Sequence, residues 1–237
     1  MNIAVIPARG GSKRIPKKNI REFAGKPLIV YSIETAQQSG VFDHIVVSTD
    51  DREIADTARR YGATDIIMRP PELADDFTGT TPVVRHALRV MVEQGARPDF
   101  VCCIYATAPM LKARYLQQGL DALRRHPNKQ YAFSVTSFAF PIQRAIRIVG
   151  QEDAPGVEPV NPEMMGKRSQ DLEDCYHDAG QFYWGRADAF ARPEGVFQHH
   201  SIPVILPRHL VQDIDTEEDW VRAELMYKAQ KEHDETR

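Results

Sequence analysis

Two groups of residues near opposite ends of a 237-residue chain have the types and spacing to do chemistry. The first follows the apolar run Ile3–Ile6 in IAVIPARGGSKRIPKKNI, where Arg9, Gly10, Gly11, Ser12, Lys18 and Asn19 share one bend. Adjacent glycines permit tight turns and let successive backbone amides approach phosphate oxygens. Arg9 brings a forked guanidinium and Lys18 a mobile point charge, a combination suited to a triphosphate. Ser12 adds a donor, and Asn19 suits either a ribose or the backbone that holds the loop. Lys13, Arg14 and Lys17 read equally well as a solvated rim. The spacing fits neither the dinucleotide fingerprint nor the loop GxxxxGK[ST].

The second group is QDIDTEED. In an extended segment Asp213 and Asp215 project to the same side. Paired carboxylates can hold Mg²⁺ together with phosphate oxygens and water. The competing reading is that Asp215 caps a helix starting near Thr216 while Asp213 is merely solvated. Glu217, Glu218 and Asp219 read as first-turn helix acids. Asp50, ending VVSTD, suits support of the basic loop or of the metal shell.

The elements that must position these groups follow an α/β rhythm. IAVIPA, HIVVSTD, FVCCIYAT and YAFSVTS read as strands. PLIVYSIETAQQSG, DREIADTARRYG, TPVVRHALRVMVEQGA and KARYLQQGLDALRRH read as helices, with Gly40 and Gly62 closing the first two. This alternation predicts a mostly parallel sheet covered on both faces, with ligands at the strand-end loops. After Ser137 the rhythm breaks. FAFPIQRAIRIVG reads as a ribbon, and the Pro/Gly-rich stretch after it completes an arm, approximately 138–168, that packs on a second subunit. AGQFYWGR, SIPVILP and the helical TEEDWVRAELMYKAQKEH return the chain to one domain, 1–237, whose polar tail ends at Arg237.

Composition narrows the class. Thirty basic and 33 acidic residues give a net charge of -3, which disfavours a general affinity for nucleic acid and isolates the basic loop as a local feature. The three cysteines lack metal-ligand spacing and read as reduced and buried. No apolar segment approaches the roughly 20 residues that span a bilayer, and the N-terminus lacks a signal-peptide pattern. The expectation is a cytoplasmic protein with no membrane association.

GKPLIVYSI, VVSTDD, RP..LA, TAP and QDIDTEED, in this order after the basic loop, resemble the CMP-sialic acid synthetase superfamily over nearly the whole chain. RSQDLEDCYHDAGQFYWG is similar to the branch that activates pseudaminic acid. Two departures separate the chain from the sialic acid branch. IYATAP places Tyr105 and Ala106 where that branch has glutamine and proline, and Asp178 stands where it has the asparagine of NGA. A carboxylate in place of an amide changes what a sugar pocket can accept and donate.

The resemblance implies a three-layer nucleotide-diphospho-sugar transferase-like fold with a dimerisation arm. It implies transfer of CMP from CTP, with Mg²⁺, to the anomeric hydroxyl of an acidic nine-carbon sugar. N-acetylneuraminic, legionaminic and 3-deoxy-octulosonic acids are alternatives to pseudaminic acid, and a non-enzymatic nucleotide-binding module is the alternative from another class. It implies that Arg69 contacts cytosine, with an ion pair as the plainer role. Thr80 and Thr81 lie near the base or cap the next helix, a role for which Thr81 before Pro82 is well suited. For the sugar it implies Tyr105, Ala106, His177, Asp178, Gln181 and Tyr183, with Arg168 reaching in from the partner's arm. Phe182 and Trp184 read first as core or dimer contacts.

Overall fold

The computed structural model describes residues 1–75 and 77–235, so the tail expected at Arg237 lies outside them. In chain order its strands are β1 (Asn2–Pro7), β2 (Glu22–Phe23), β3 (Lys26–Pro27), β4 (His44–Thr49), β5 (Asp65–Met68), β6 (Phe100–Ile104), β7 (Tyr131–Ser137), β8 (Ile146–Gln151), β9 (Ala154–Pro159), β10 (Tyr176–Arg186) and β11 (Ser201–Ile205). The helices are α1 (Leu28–Ser39), α2 (Arg52–Arg60), α3 (Thr80–Glu93), α4 (Ala113–Arg125) and α5 (Glu217–Glu235).

Seven strands form one sheet in the order β11-β7-β10-β6-β1-β4-β5. All its pairings are parallel except those of β10, which runs against both β6 and β7. β1 lies inside the sheet between β6 and β4, and Ile3, Ala4, Val5 and Ile6 are wholly buried, as an uninterrupted apolar run requires when helices cover both faces. Ile29, Ile33, Leu116 and Leu120 of α1 and α4 fill one face, while Val84, Ala87 and Leu88 of α3 fill the other. The three-layer, mostly parallel expectation holds.

Local signals act as read in most places. Gly40 ends α1, and Asp51 caps α2 by accepting from the amides of Glu53 and Ile54. The cap expected of Thr81 is wrong. Gly79 precedes the first helical residue, Thr80, so Thr81 lies inside the first turn. Phe182 and Trp184 are core residues, with the Trp184 indole stacked on Phe42 and donating to the Leu116 carbonyl at 2.9 Å. Cys102 and Cys103 are buried, and burial pushes both thiols well up, away from reactivity.

A smaller apolar cluster fixes the site. Ile15, Phe23, Leu28, Tyr31, Ile214 and Trp220 pack together, pinning the basic loop to the segment that carries the paired carboxylates. The break after Ser137 folds as the antiparallel ribbon β8–β9, which projects with Ile148 81% exposed. Among the described residues no helix is long and apolar enough to cross a membrane.

Candidate active site

The loop after β1 is built by its neighbours. The Gly10 amide donates to Asp50 at 2.9 Å, and a side chain at Gly10 would collide with Asp51, whose carboxylate lies 2.7 Å from where a Cβ would sit. Gly10 is therefore required by close approach, whereas Gly11 faces open space. The Ser12 amide donates to the Gly10 carbonyl at 2.9 Å. Successive amides thus do not all face outward, because Asp50 and the loop itself take two of them. Arg9 donates to the Asp75 carbonyl at 2.9 Å. Asn19 is buried and its amide donates to the Arg9 carbonyl at 2.9 Å, so it braces the loop from behind, one of its two expected roles.

The carboxylate segment meets this loop from the far end of the chain. Ile214 is buried in the shared cluster, so Asp213 and Asp215 on either side of it turn outward, although the segment is not part of a sheet. Lys18 donates to the Ile214 carbonyl at 2.6 Å and lies 3.4 Å from Asp215, and Arg14 pairs with Asp215 at 3.0 Å. Of the residues read as a solvated rim, Arg14 thus joins the site, while Lys17 stays outside it, paired with Glu53.

Asp215 does not cap α5. That role belongs to a reciprocal pair in which the Asp219 amide donates to Thr216 and the Thr216 amide to Asp219. Burial and the Asp215 carboxylate raise the Asp213 carboxyl above the usual range, against the pull of Lys18. Two hard-oxygen donors on one side of the segment fit a divalent cation, although Arg14 and Lys18 already balance part of their charge. Among the described residues no third His, Cys, Asp or Glu joins them, so phosphate and water would complete the shell.

Arg69, at the end of β5, is buried, and its guanidinium donates to the Ser48 carbonyl at 2.8 Å and to Leu73 at 3.3 Å. Burial lowers its pKa, with Asp50 opposing that shift. Its Nε has no partner, so the side chain braces the β4 and β5 ends while one donor stays unspent. The ion pair considered as its plainer role does not form among the described residues.

Beyond Asp213 opens a cavity of about 1060 Å³ at the strand ends, lined by Tyr105, His177, Asp178, Tyr183, Arg208, Asp213 and Arg222 among others. Strict alternation would put Asp178 and Tyr183 on opposite faces of β10. The register slips between them: Asp178 pairs with Val135 and Tyr183 with Phe133, and Gly180 takes the positive φ of 61° this bulge needs. The Tyr183 hydroxyl consequently donates to Asp178, whose other oxygen accepts the Gly180 amide at 2.9 Å. Burial, the Tyr105 phenol and Asp178 push the Tyr183 phenol far up, so it stays protonated. Thr80 continues the chain with a 3.2 Å contact to the Tyr105 hydroxyl. His177 packs on Phe138.

Three expected sugar residues lie elsewhere. Ala106 is buried in the main core. Gln181 is buried too, its amide spent on the Leu210 carbonyl, because it sits between the residues that the bulge turns toward the cavity. Arg168 is 73% exposed, holds Asp171 through two hydrogen bonds, and does not line the cavity of its own chain. Conversely, Arg208, His209, Gln212 and Arg222 line the cavity without having been singled out. Only the order of Gln212 beside Asp213 hinted at one of them.

Residues 3–144 match the family model described as Cytidylyltransferase. The chain is 44% identical over 231 residues to a pseudaminic acid cytidylyltransferase of Campylobacter jejuni subsp. jejuni, covering 98% of each. It is 32% identical to the CMP-N,N'-diacetyllegionaminic acid synthase of Legionella pneumophila, covering 97% of each. Among solved structures it resembles a CMP:2-keto-3-deoxy-manno-octonic acid synthetase complexed with CTP, with TM-score 0.69, 20% identity, and coverage of 97% of this chain and 99% of that one. That last likeness concerns the fold.

Proposed function

The chain belongs to the cytidylyltransferase family, in the CMP-sialic acid synthetase superfamily, and from that premise we propose that it activates pseudaminic acid with CTP. The observation that carries this reading is the continuity of the site. The basic loop, the Asp213–Asp215 segment and the large cavity adjoin one another at the strand ends. A triphosphate and an acidic sugar would meet at Asp213.

The anomeric hydroxyl oxygen attacks the α-phosphorus. A new oxygen–phosphorus bond forms, the α–β bridge breaks, pyrophosphate leaves, and the hydroxyl proton passes to solvent. Arg9, Lys18 and the Gly11 amide orient the triphosphate and offset its charge as the sugar carboxylate approaches. Asp213 and Asp215 would hold Mg²⁺, which when bound neutralises the leaving pyrophosphate. Arg69 and Thr80 stand on the side of the base. Asp178, with its oxygens fixed by Tyr183 and Gly180, accepts from an acylamino N–H or a hydroxyl of the sugar.

A second copy of the chain belongs to this reading. The arm exposes Phe140, Ile146, Ile148 and Val157, an apolar surface suited to a two-fold interface. The exposed Arg168 would then serve the partner's sugar site. Such an enzyme would work in the cytoplasm, where CTP is made.

Incubation with CTP, Mg²⁺ and a panel of pseudaminic, legionaminic, N-acetylneuraminic and 3-deoxy-octulosonic acids tests the proposal, with products identified by mass and NMR. CMP-pseudaminic acid is the expected main product. Preference for another acid corrects the sugar, and CTP binding without any product leaves a nucleotide-binding module.

A further inference from the structure

Two guanidiniums in the sugar-side cavity, Arg208 and Arg222, have no ion-pair partner among the described residues. Arg208 makes one long contact, 3.4 Å to the Phe138 carbonyl. Asp219, one turn before Arg222 in its helix, feels the Arg222 charge but makes no ion-pair contact with it and accepts from the amides of Asp215 and Thr216. Arg14 and Arg21, on the loop side of the site, each hold a carboxylate of this chain, and Arg69, Arg85 and Arg186, which do not, spend their donors on carbonyls. Two unpaired forks on one concave surface call for an anion from outside.

We propose that Arg208 and Arg222 hold the carboxylate on the anomeric carbon of the sugar acid, an assignment that rests on the proposed transfer to a 2-keto acid. Geometry favours this group over any other on the sugar. The carboxylate is bonded to the carbon whose hydroxyl attacks, so it must lie beside the reacting centre, and Arg222 shares the cavity wall with Asp213. Their relative placement is rigid. The Thr216–Asp219 pair locks the first turn of α5 onto the Asp213–Asp215 segment, and Gln212 donates to Asp219 at 3.2 Å.

Arg208 begins a short turn whose Leu210 carbonyl is held by buried Gln181. Planar guanidinium forks match a planar carboxylate. Asp178 in the same cavity accepts hydrogen bonds and repels a carboxylate, so the two charges orient the sugar along the cavity.

The test compares the accepted sugar acid with its C1 methyl ester, in the wild type and in Arg208→Gln, Arg222→Gln and Arg222→Lys. The wild type should favour the acid over the ester by about 10- to 100-fold in kcat/KM, the scale of a charge-assisted hydrogen bond. Either glutamine variant should shrink that ratio about tenfold, with unchanged CTP affinity and melting temperature. Arg222→Lys should fall between, since it keeps the charge and loses the fork. An acid-to-ester ratio that stays at the wild-type value in both glutamine variants would overturn the assignment and leave the proposed function standing. Wild-type protein that binds CTP and turns over no sugar acid would end the proposed function, and this assignment with it.

Discussion

Lys18 donates to the carbonyl of Ile214 at 2.6 Å and sits 3.4 Å from the carboxylate of Asp215, residues that lie 196 and 197 positions further along the chain. The contact closes the phosphate loop on the carboxylate segment. Lys18 ties the backbone between the two aspartates, and in the proposed function it also brings charge toward the triphosphate. Lys18→Met should lower kcat by about 10²- to 10³-fold, as loss of a major electrostatic contact does. It should also weaken CTP binding, measured by calorimetry. Wild-type kcat at saturating substrates would reduce Lys18 to a structural tie.

Asp213 should trade stability for activity. Its raised carboxyl means that the folded protein binds that proton more tightly than the unfolded chain. The stability from this is present below the unfolded value of about 3.9 and is lost as pH rises through the folded one. At neutral pH, with no metal, the charged carboxylate is thus a cost. Asp213→Asn should melt slightly higher than wild type at pH 7, a gain that disappears below about pH 4. Turnover should drop by about 10²-fold. A melting difference that does not change between pH 3.5 and 7 would show that crowding by Asp215 is not its origin.

Tyr183→Phe removes the hydroxyl that fixes Asp178 and keeps the ring. The sugar KM should rise by about tenfold, the worth of one charge-assisted hydrogen bond, while CTP affinity holds. An unchanged sugar KM would move Asp178 and Tyr183 out of sugar recognition.

The arm is tested by mixing. Arg9→Ala and Arg168→Ala chains, each inactive alone, should regain activity together if Arg168 serves the partner's site, because one site of a mixed dimer then carries both lesions and the other none. Mass photometry must show a dimer, and Ile148→Asp should shift it toward monomer. An active monomer would reject the shared site altogether. An exchanging dimer without recovered activity would keep the dimer and confine Arg168 to its own chain.

What the sequence could determine was local. The run Ile3–Ile6 reads as a doubly covered strand, Gly10 and Gly11 permit the bend, and alternation around buried Ile214 turns Asp213 and Asp215 to one side. Those patterns depend on neighbours a few positions away, and a recognisable order of such motifs carried the family.

Orientation at the strand ends belonged to the tertiary structure. A register slip at Gly180 puts Asp178 and Tyr183 on one wall and leaves Gln181 inside, and no periodic reading of β10 contains that slip. Ala106 looked like a ligand contact and is buried, because packing claimed it first. Arg208 and Arg222 look in sequence like ordinary surface charges. They become a site only because the turn after β11 and the first turns of α5 meet over the same cavity, and long-range packing alone brings them there.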